Sequence, residues 1–149
     1  MLYDQPKTIN KIFGVGLKQI LRKVNLVIPK NKAVSEIGLV FVSPAKMAEL
    51  NLKYRRCNKP TNVLSFETGF LTTLPPSSRL RRASGAGDIV ICPEVAKAEA
   101  KESGFTQKYW MTHLVVHGIL HLAGYGHERP RDILDMEKAE REALALLGF

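Results

Sequence analysis

The chain has 149 residues and a formal net charge of +8, with 45% of its residues hydrophobic and 24% charged. These values predict one soluble globular domain over residues 1–149, and no apolar run approaches the roughly 18 residues of a transmembrane helix, so a disordered chain and a membrane protein are excluded. The first residues lack the apolar core of a secretory signal, and Cys57 and Cys92 have no metal-ligand spacing, so we expect reduced thiols and a cytoplasmic protein.

Hydrophobic periodicity predicts helices that alternate with three short strands. Pro44 and Pro93 each stand in the first turn of a predicted helix, and Gly124 and Gly148 each follow a helix end. Residues 68–86 have no period and predict a long loop. The predicted elements are, in chain order, an amphipathic helix over 8–24, a central strand over 36–43, a helix over 44–54, strands over 62–67 and 87–92, and helices over 93–103, 107–123 and 131–147.

These elements predict an α+β fold, in which a small mixed sheet packs against about five helices. No internal repeat or linker divides the chain. The last helix is amphipathic, so one of its faces should pack against the rest of the domain. The residues predicted to face inward from this helix are Ile133, Leu134, Met136, Ala139, Ala143, Leu146 and Leu147.

Positive charge is concentrated in the first 82 residues, which contain 15 lysines and arginines and 4 acidic residues, against 7 and 10 in the remainder. Much of the excess lies in two segments, Lys53–Lys59 and Arg79–Arg82. Such a distribution is either a solvated face or, if the segments converge on one site, a surface for a polyanionic ligand.

All four histidines lie within residues 113–127. Histidines at positions i and i+4 can present both imidazoles to one metal ion, and a glycine-assisted turn can bring a third to the same point. Three imidazoles with one open position are typical of catalytic zinc, whereas structural zinc usually has four protein ligands. We therefore predict one Zn²⁺ bound by His117, His121 and His127 at the end of a central buried helix. His113, one turn earlier, is predicted to support or pack against this site.

Gly118 stands where zinc proteases with a similar histidine pattern have the glutamate that acts as general base. Peptide hydrolysis needs a group that passes a proton to the leaving amine, and glycine cannot do so. Phosphodiester hydrolysis depends more on stabilising charge at the phosphoryl oxygens, which a metal and an arginine can provide. The pattern favours phosphodiester chemistry and predicts an arginine near the metal.

Three segments resemble the signature segments of the YbeY family, which comprises bacterial and organellar single-strand-specific endoribonucleases of rRNA maturation. They are HLVVHGILHLAGYGH at 113–127, LNLKYRRCNKPTNVLSFE at 50–67 and GDIVIC at 87–92. Their order and spacing also fit the family, and the resemblance extends from about residue 37 to residue 148. It implies that His117, His121 and His127 bind zinc and that Arg55 is the functional arginine.

The resemblance implies a metal-dependent endoribonuclease that cleaves single-stranded RNA and acts in 16S rRNA 3′-end processing and ribosome quality control. Its expected partners are rRNA and the small ribosomal subunit, and no DNA substrate is expected. A zinc-activated water at His117 and the Arg55 guanidinium would carry the catalysis, while Arg55, Arg56 and Lys59 would bind RNA phosphates. The alternatives are a zinc hydrolase of another substrate and a non-catalytic, zinc-containing RNA-binding or ribosome assembly factor.

The chain departs from the family pattern at Gly126, where the family usually has an aspartate before the third ligand. Glu128 is a nearby carboxylate that could replace it. The resemblance also implies that Thr61, Asn62 and Ser65 lie beside the cleft, where a structural hydrogen-bonding role is an equal alternative. The first strand of the family is predicted to be short or absent here.

Overall fold

A mixed sheet with three main strands forms the centre of the computed structural model, which describes residues 2–3, 6–67 and 86–149, with side chains from residue 9 onward. The strand order is β1-β2-β4-β3, in which β2 and β4 are parallel and the other neighbours antiparallel. The edge strand β1 contains two residues, in keeping with the short first strand predicted. The strands are β1 Leu2–Tyr3, β2 Glu36–Phe41, β3 Val63–Glu67 and β4 Ala86–Ile91.

Six α-helices in the described residues surround this sheet, and the predicted α+β fold is confirmed. No helix in that part of the chain combines the length and apolarity needed to cross a bilayer. The predicted loop falls almost wholly on residues 68–85, which lie outside the described residues. The basic segment Arg79–Arg82 belongs to this range. The helices are α1 Pro6–Phe13, α2 Leu17–Val27, α3 Pro44–Arg55, α4 Pro93–Ser103, α5 Gln107–Leu122 and α6 Pro130–Leu146.

The first predicted helix, over 8–24, is divided into two, which accounts for the sixth helix. Gly14 has a positive φ of 73°, a conformation that ends a helix readily and that glycine adopts without steric cost. Gly16 is extended and precedes the first residue of α2. The apolar residues keep their helical spacing across this break, so periodicity alone did not reveal it.

The sheet separates two hydrophobic clusters. On one face, α5 packs with α1, α2 and α6 over β2 and β4, and eight of the sixteen residues of α5 are buried. On the other face, α3 contributes Met47 and Leu50 to a smaller cluster with Leu64, Phe66 and Val90. Burial on both faces explains why β2 after Glu36 and β4 apart from Asp88 are apolar, whereas buried and partly exposed residues alternate in the edge strand β3.

The inward set predicted for the last helix is partly wrong. Ile133, Leu134 and Leu146 are 37%, 65% and 44% exposed. The buried stretch of α6 runs from Met136 to Leu144. Ile133 lies before this stretch, in the first turn of the helix, and Leu146 lies after it, in the last turn. Leu134 precedes Met136 by two positions, which places it on the opposite side of the helix.

Helix α5 lies close against the sheet at Gly118. A Cβ atom at this position would lie 3.0 Å from Oγ of Ser65 and 3.1 Å from two side-chain carbons of Ile89. The Ser65 hydroxyl also donates a hydrogen bond to the Gly118 carbonyl, at 3.2 Å. Position 118 therefore faces two strands of the sheet and has no space for a glutamate side chain.

Replacing Gly118 by glutamate should prevent stable folding, because it forces a long charged side chain against the fully buried Ile89. The matched control is Gly126→Glu, since a Cβ at Gly126 meets nothing within 4 Å. We expect the control to melt within a few degrees of the parent in a thermal unfolding experiment followed by circular dichroism. A Gly118→Glu protein with the melting temperature of the parent would contradict this close approach.

Candidate metal centre

Three histidine side chains meet where α5 ends. His117 and His121 come from the last two turns of the helix, and Gly124, with a φ of +95°, begins the turn that returns His127 to them. The Nε2 atom of His121 lies 2.9 Å from Nε2 of His117 and 3.2 Å from Nε2 of His127. The sequence spacing had predicted this convergence.

The donor set fits a zinc ion. Two imidazole nitrogens bound to one tetrahedral Zn²⁺ at about 2.0–2.1 Å are separated by roughly 3.3 Å, close to the separations observed between these Nε2 atoms. One ligand atom from each of His117, His121 and His127 lies within 4.8 Å of the others. Three nitrogen donors with room for an exogenous ligand suit zinc better than magnesium or calcium, which prefer oxygen. These residues could therefore hold one metal ion.

Hydrogen bonds at Nδ1 orient two of the three imidazoles. Nδ1 of His117 lies 2.5 Å from Oε1 of Glu140, and Nδ1 of His121 lies 3.0 Å from the Tyr125 carbonyl oxygen. Donation from Nδ1 to these oxygens leaves the lone pair of each ring on Nε2, the atom that faces the other histidines. The chain thus selects the tautomers that metal binding requires.

Glu140 is a buried carboxylate on α6 whose charge is retained. Burial alone would raise its pKa, but the hydrogen bond with His117 and the nearby His113 and His127 together hold the pKa below its ordinary value. An ionised partner strengthens the hydrogen bond from Nδ1 and makes the opposite nitrogen of His117 a better donor to a metal.

The pKa of His121 is lowered from its ordinary value. Burial is the largest cause, and His117, His127 and the Arg55 guanidinium also lower it, while the Tyr125 carbonyl opposes them. Protons compete with metals for imidazole nitrogen, so this environment keeps His121 in the neutral form that binds metal.

His113 lies one turn before the first of the three histidines and packs against aromatic rings. Its ring stacks on Trp110 with centroids 5.1 Å apart, and its buried Nδ1 has no hydrogen-bond partner in the described part of the structure. Burial lowers its pKa, an effect that Glu140 opposes and His117 reinforces. His113 could form a second metal group with His117 and Glu140, but Glu140 already accepts from Nδ1 of His117. Its supporting role remains a prediction.

Arg55 is an exposed residue at the end of α3 and lines a cavity of 250 Å³ with Tyr54, Ser65 and Glu67. The positive charge of Arg55 is one of the smaller causes of the lowered pKa of His121. The predicted role of Arg55 beside the metal remains a prediction.

The other predicted phosphate-binding residues lie beyond Arg55 in the turn after α3. Arg56 is exposed and has a left-handed conformation with φ 55°, while Lys59 is exposed and its carbonyl accepts a hydrogen bond from Asn51 at 2.8 Å. Neither lines a described cavity that contains the histidines. Their role in RNA binding remains a prediction.

Two residues of the strand β3 region have structural hydrogen bonds. The Asn62 amide donates to the Glu99 carboxylate at 3.0 Å, and Ser65 contacts Gly118 as described above. These bonds join the strand to α4 and α5, so they support the structural alternative weighed for both residues.

Gly126 and Glu128 line a cavity of 570 Å³ with His121 and His127. Because a Cβ at Gly126 meets nothing within 4 Å, an aspartate would fit there. Glu128 is exposed and borders the same cavity, so it remains available for the role suggested for a nearby carboxylate.

Glu140 is the site residue that sequence reasoning did not identify. A usable signal existed, because it is the one charged residue within the buried stripe of α6, between Ala139 and Ala143. Acidic residues are rarely buried without a partner, so such a position indicates a paired carboxylate.

Residues 4–148 match the family described as endoribonuclease YbeY. The chain is 37% identical over 147 residues to endoribonuclease YbeY of Bartonella quintana, an alignment that covers 99% of this chain and 87% of that protein. It is also similar to the solution structure of TM1509 from Thermotoga maritima, with a TM-score of 0.55, 27% identity, and coverage of 87% of this chain and 82% of that one. These matches agree with the resemblance found in the sequence segments.

The Glu140→Gln variant should bind zinc roughly 10- to 100-fold more weakly than the parent, because a neutral amide is a poorer acceptor for Nδ1 of His117. Glu137→Gln removes an exposed charge one turn earlier on the same helix and should leave affinity unchanged. Competition with a chromophoric chelator measures both. Equal zinc affinity in all three proteins would show that the contact with His117 does not support metal binding.

Metal-free protein should lose stability as the pH falls below about 6.5, in part because of His113. The pKa of His113 is lower in the folded protein, so the unfolded chain binds the proton more readily. The contribution of neutral His113 to the free energy of unfolding is complete above the ordinary pKa of 6.5 and is lost as the pH falls. The His113→Phe variant keeps an aromatic ring against Trp110 and removes the imidazole that binds the proton. Urea unfolding at pH 7 and pH 5 should show a smaller loss in the variant, and an equal or larger loss would contradict the assignment.

Proposed function

The chain belongs to the YbeY endoribonuclease family, and we propose that it is a zinc-dependent endoribonuclease that cleaves single-stranded RNA. The observation that supports this most strongly is the convergence of three imidazole Nε2 atoms. The charge of Arg55 also helps to lower the pKa of one of these imidazoles, that of His121. A metal and a guanidinium are the groups that stabilise negative charge during phosphodiester hydrolysis.

The biological setting that we propose is rRNA maturation, with 16S rRNA 3′-end processing, ribosome quality control and the small ribosomal subunit as the specific expectations. This setting rests on family membership and on the sequence segments that resemble the family. A cytoplasmic location follows from the same proposal. The excess of basic residues before residue 83 is in keeping with an RNA substrate.

In this proposal the protein side chains bind the metal, orient its ligands and neutralise the charge of the RNA phosphates. His117, His121 and His127 would hold the zinc ion, which would supply Lewis-acid stabilisation and the activation of water. Glu140 and the Tyr125 carbonyl keep two of the imidazoles in the required tautomer.

Arg55 forms charge-assisted hydrogen bonds with the oxygens of the reacting phosphate, for which its planar guanidinium is well suited. Arg56 and Lys59, exposed in the following turn, attract flanking phosphates.

A peptidase is disfavoured by the packing at Gly118. A glutamate base after the first ligand would have to occupy the space of the Ser65 hydroxyl and the Ile89 side chain. Position 118 therefore cannot provide the carboxylate that would carry the proton transfers of amide hydrolysis.

Zinc-loaded protein should cleave a labelled single-stranded oligoribonucleotide, and a chelator should abolish cleavage until zinc is restored. Arg55→Ala should lower kcat by roughly 100-fold, the usual cost of removing one donor that stabilises charge in the transition state. Lys46→Ala, at the other end of α3, removes a half-exposed lysine that pairs with Glu49 and serves as the control. Products separated on denaturing gels give the rates.

The His121→Ala variant distinguishes the remaining possibilities. Cleavage that persists in both this variant and Arg55→Ala would indicate a contaminating nuclease and contradict the proposal. Zinc-dependent turnover of a peptide or ester with intact RNA would favour another hydrolase. RNA binding without cleavage under any metal condition would indicate a non-catalytic assembly factor.

A further inference from the structure

A lysine outside the predicted basic segments borders the metal centre. Lys32 is the last residue of a single 3₁₀ turn, Lys30–Lys32, which precedes β2. Its side chain lines the 570 Å³ cavity that also contains His121 and His127. The turn and the metal ligands are about 90 residues apart in sequence, so only the folded chain brings them together.

Lys32 carries a charge that no carboxylate neutralises among the described residues. Its Nζ lies 5.0 Å from the centre of the Tyr125 ring, a cation–π distance. The other basic residue of the cavity, Arg129, is engaged by both carboxylate oxygens of Asp132, at 3.0 and 3.4 Å. Lys32 is therefore the cation of this cavity that remains available for an anionic ligand.

The cavity is not uniformly basic, which restricts what it can bind. Glu128 and Asp135 also line it, so a run of phosphates would be repelled there. A single phosphate next to Lys32 is compatible with these charges when a divalent cation is held by the adjacent histidines.

Arg55 lines a different cavity, and its charge helps to lower the pKa of His121. The cavity of Arg55 and that of Lys32 have no lining residue in common. A phosphodiester that contacts the Arg55 guanidinium would therefore not be the one that contacts Lys32. Two cations in separate cavities, of which that of Lys32 is lined by His121 and His127, suit a chain of successive phosphates.

We infer that Lys32 binds a phosphate of the RNA substrate other than the one bound by Arg55, so that the RNA backbone passes across the metal centre between the two side chains. This inference rests on the function proposed above. A rival role is structural: through its contact with the Tyr125 ring, Lys32 could position the carbonyl that orients His121, and so act on metal binding alone.

The test compares the zinc-loaded parent with Lys32→Gln, Lys32→Arg and Lys30→Gln, the last being an exposed lysine of the same turn outside the cavity. Binding of a fluorescein-labelled single-stranded oligoribonucleotide is measured by anisotropy at several salt concentrations. Lys32→Gln should weaken binding up to about fivefold. It should also reduce the slope of log K against log salt by about 0.7, as expected for one lost phosphate contact. Lys32→Arg and Lys30→Gln should resemble the parent.

Oligonucleotides with one neutral methylphosphonate linkage locate the contact. In the parent, one position of the neutral linkage should weaken binding, and Lys32→Gln should be insensitive to that position. Arg55→Gln should lose sensitivity to a different position.

Zinc affinity, measured by chelator competition, should be the same in the parent and in Lys32→Gln. Three results would overturn the inference: equal RNA binding by Lys32→Gln and Lys30→Gln, loss of sensitivity at the same linkage in Lys32→Gln and Arg55→Gln, or a parallel loss of zinc affinity. A zinc-loaded parent that binds no single-stranded RNA would overturn the proposed function itself.

Discussion

The close contact between α5 and the sheet at Gly118 is the constraint on which the rest of the site depends. Because the helix backbone lies against Ser65 and Ile89, the face of α5 at position 118 is committed to packing. His117 and His121 point elsewhere, toward α6 and the returning loop, where their ring nitrogens find Glu140 and the Tyr125 carbonyl. The geometry that brings the imidazoles together thus excludes a carboxylate base next to the first of them.

The buried carboxylate of Glu140 shows how the fold supports a charged site within an apolar layer. A buried charge is costly unless it is paired and hydrogen-bonded, and the contact with His117 provides that pairing. Since α6 packs against both α2 and α5, the position of this carboxylate depends on the main hydrophobic cluster. Stability and the proposed metal binding are therefore coupled through one side chain.

The electrostatic character of the site comes from separate parts of the chain. Arg55 comes from the end of α3 on one face of the sheet, and Lys32 from the turn before β2. The histidine helix α5 packs on the opposite face of the sheet from α3. The net charge of +8 left a solvated face and a polyanion-binding surface as alternatives, and the RNA path proposed above depends on where these side chains lie.

Local sequence determined the element types, the apolar central strands, the helix starts at Pro44 and Pro93, and the spacing of His117, His121 and His127. These features depend on short-range periodicity, turn chemistry and helix geometry, which operate within a few residues. Tertiary structure alone decided the pairing of Glu140 with His117, the place of Lys32 beside the histidines, the close contact at Gly118 and the inward face of α6. The break at Gly14 also escaped prediction, because the apolar period continues across it. Contacts between residues distant in sequence depend on how whole elements pack, and no local pattern encodes that.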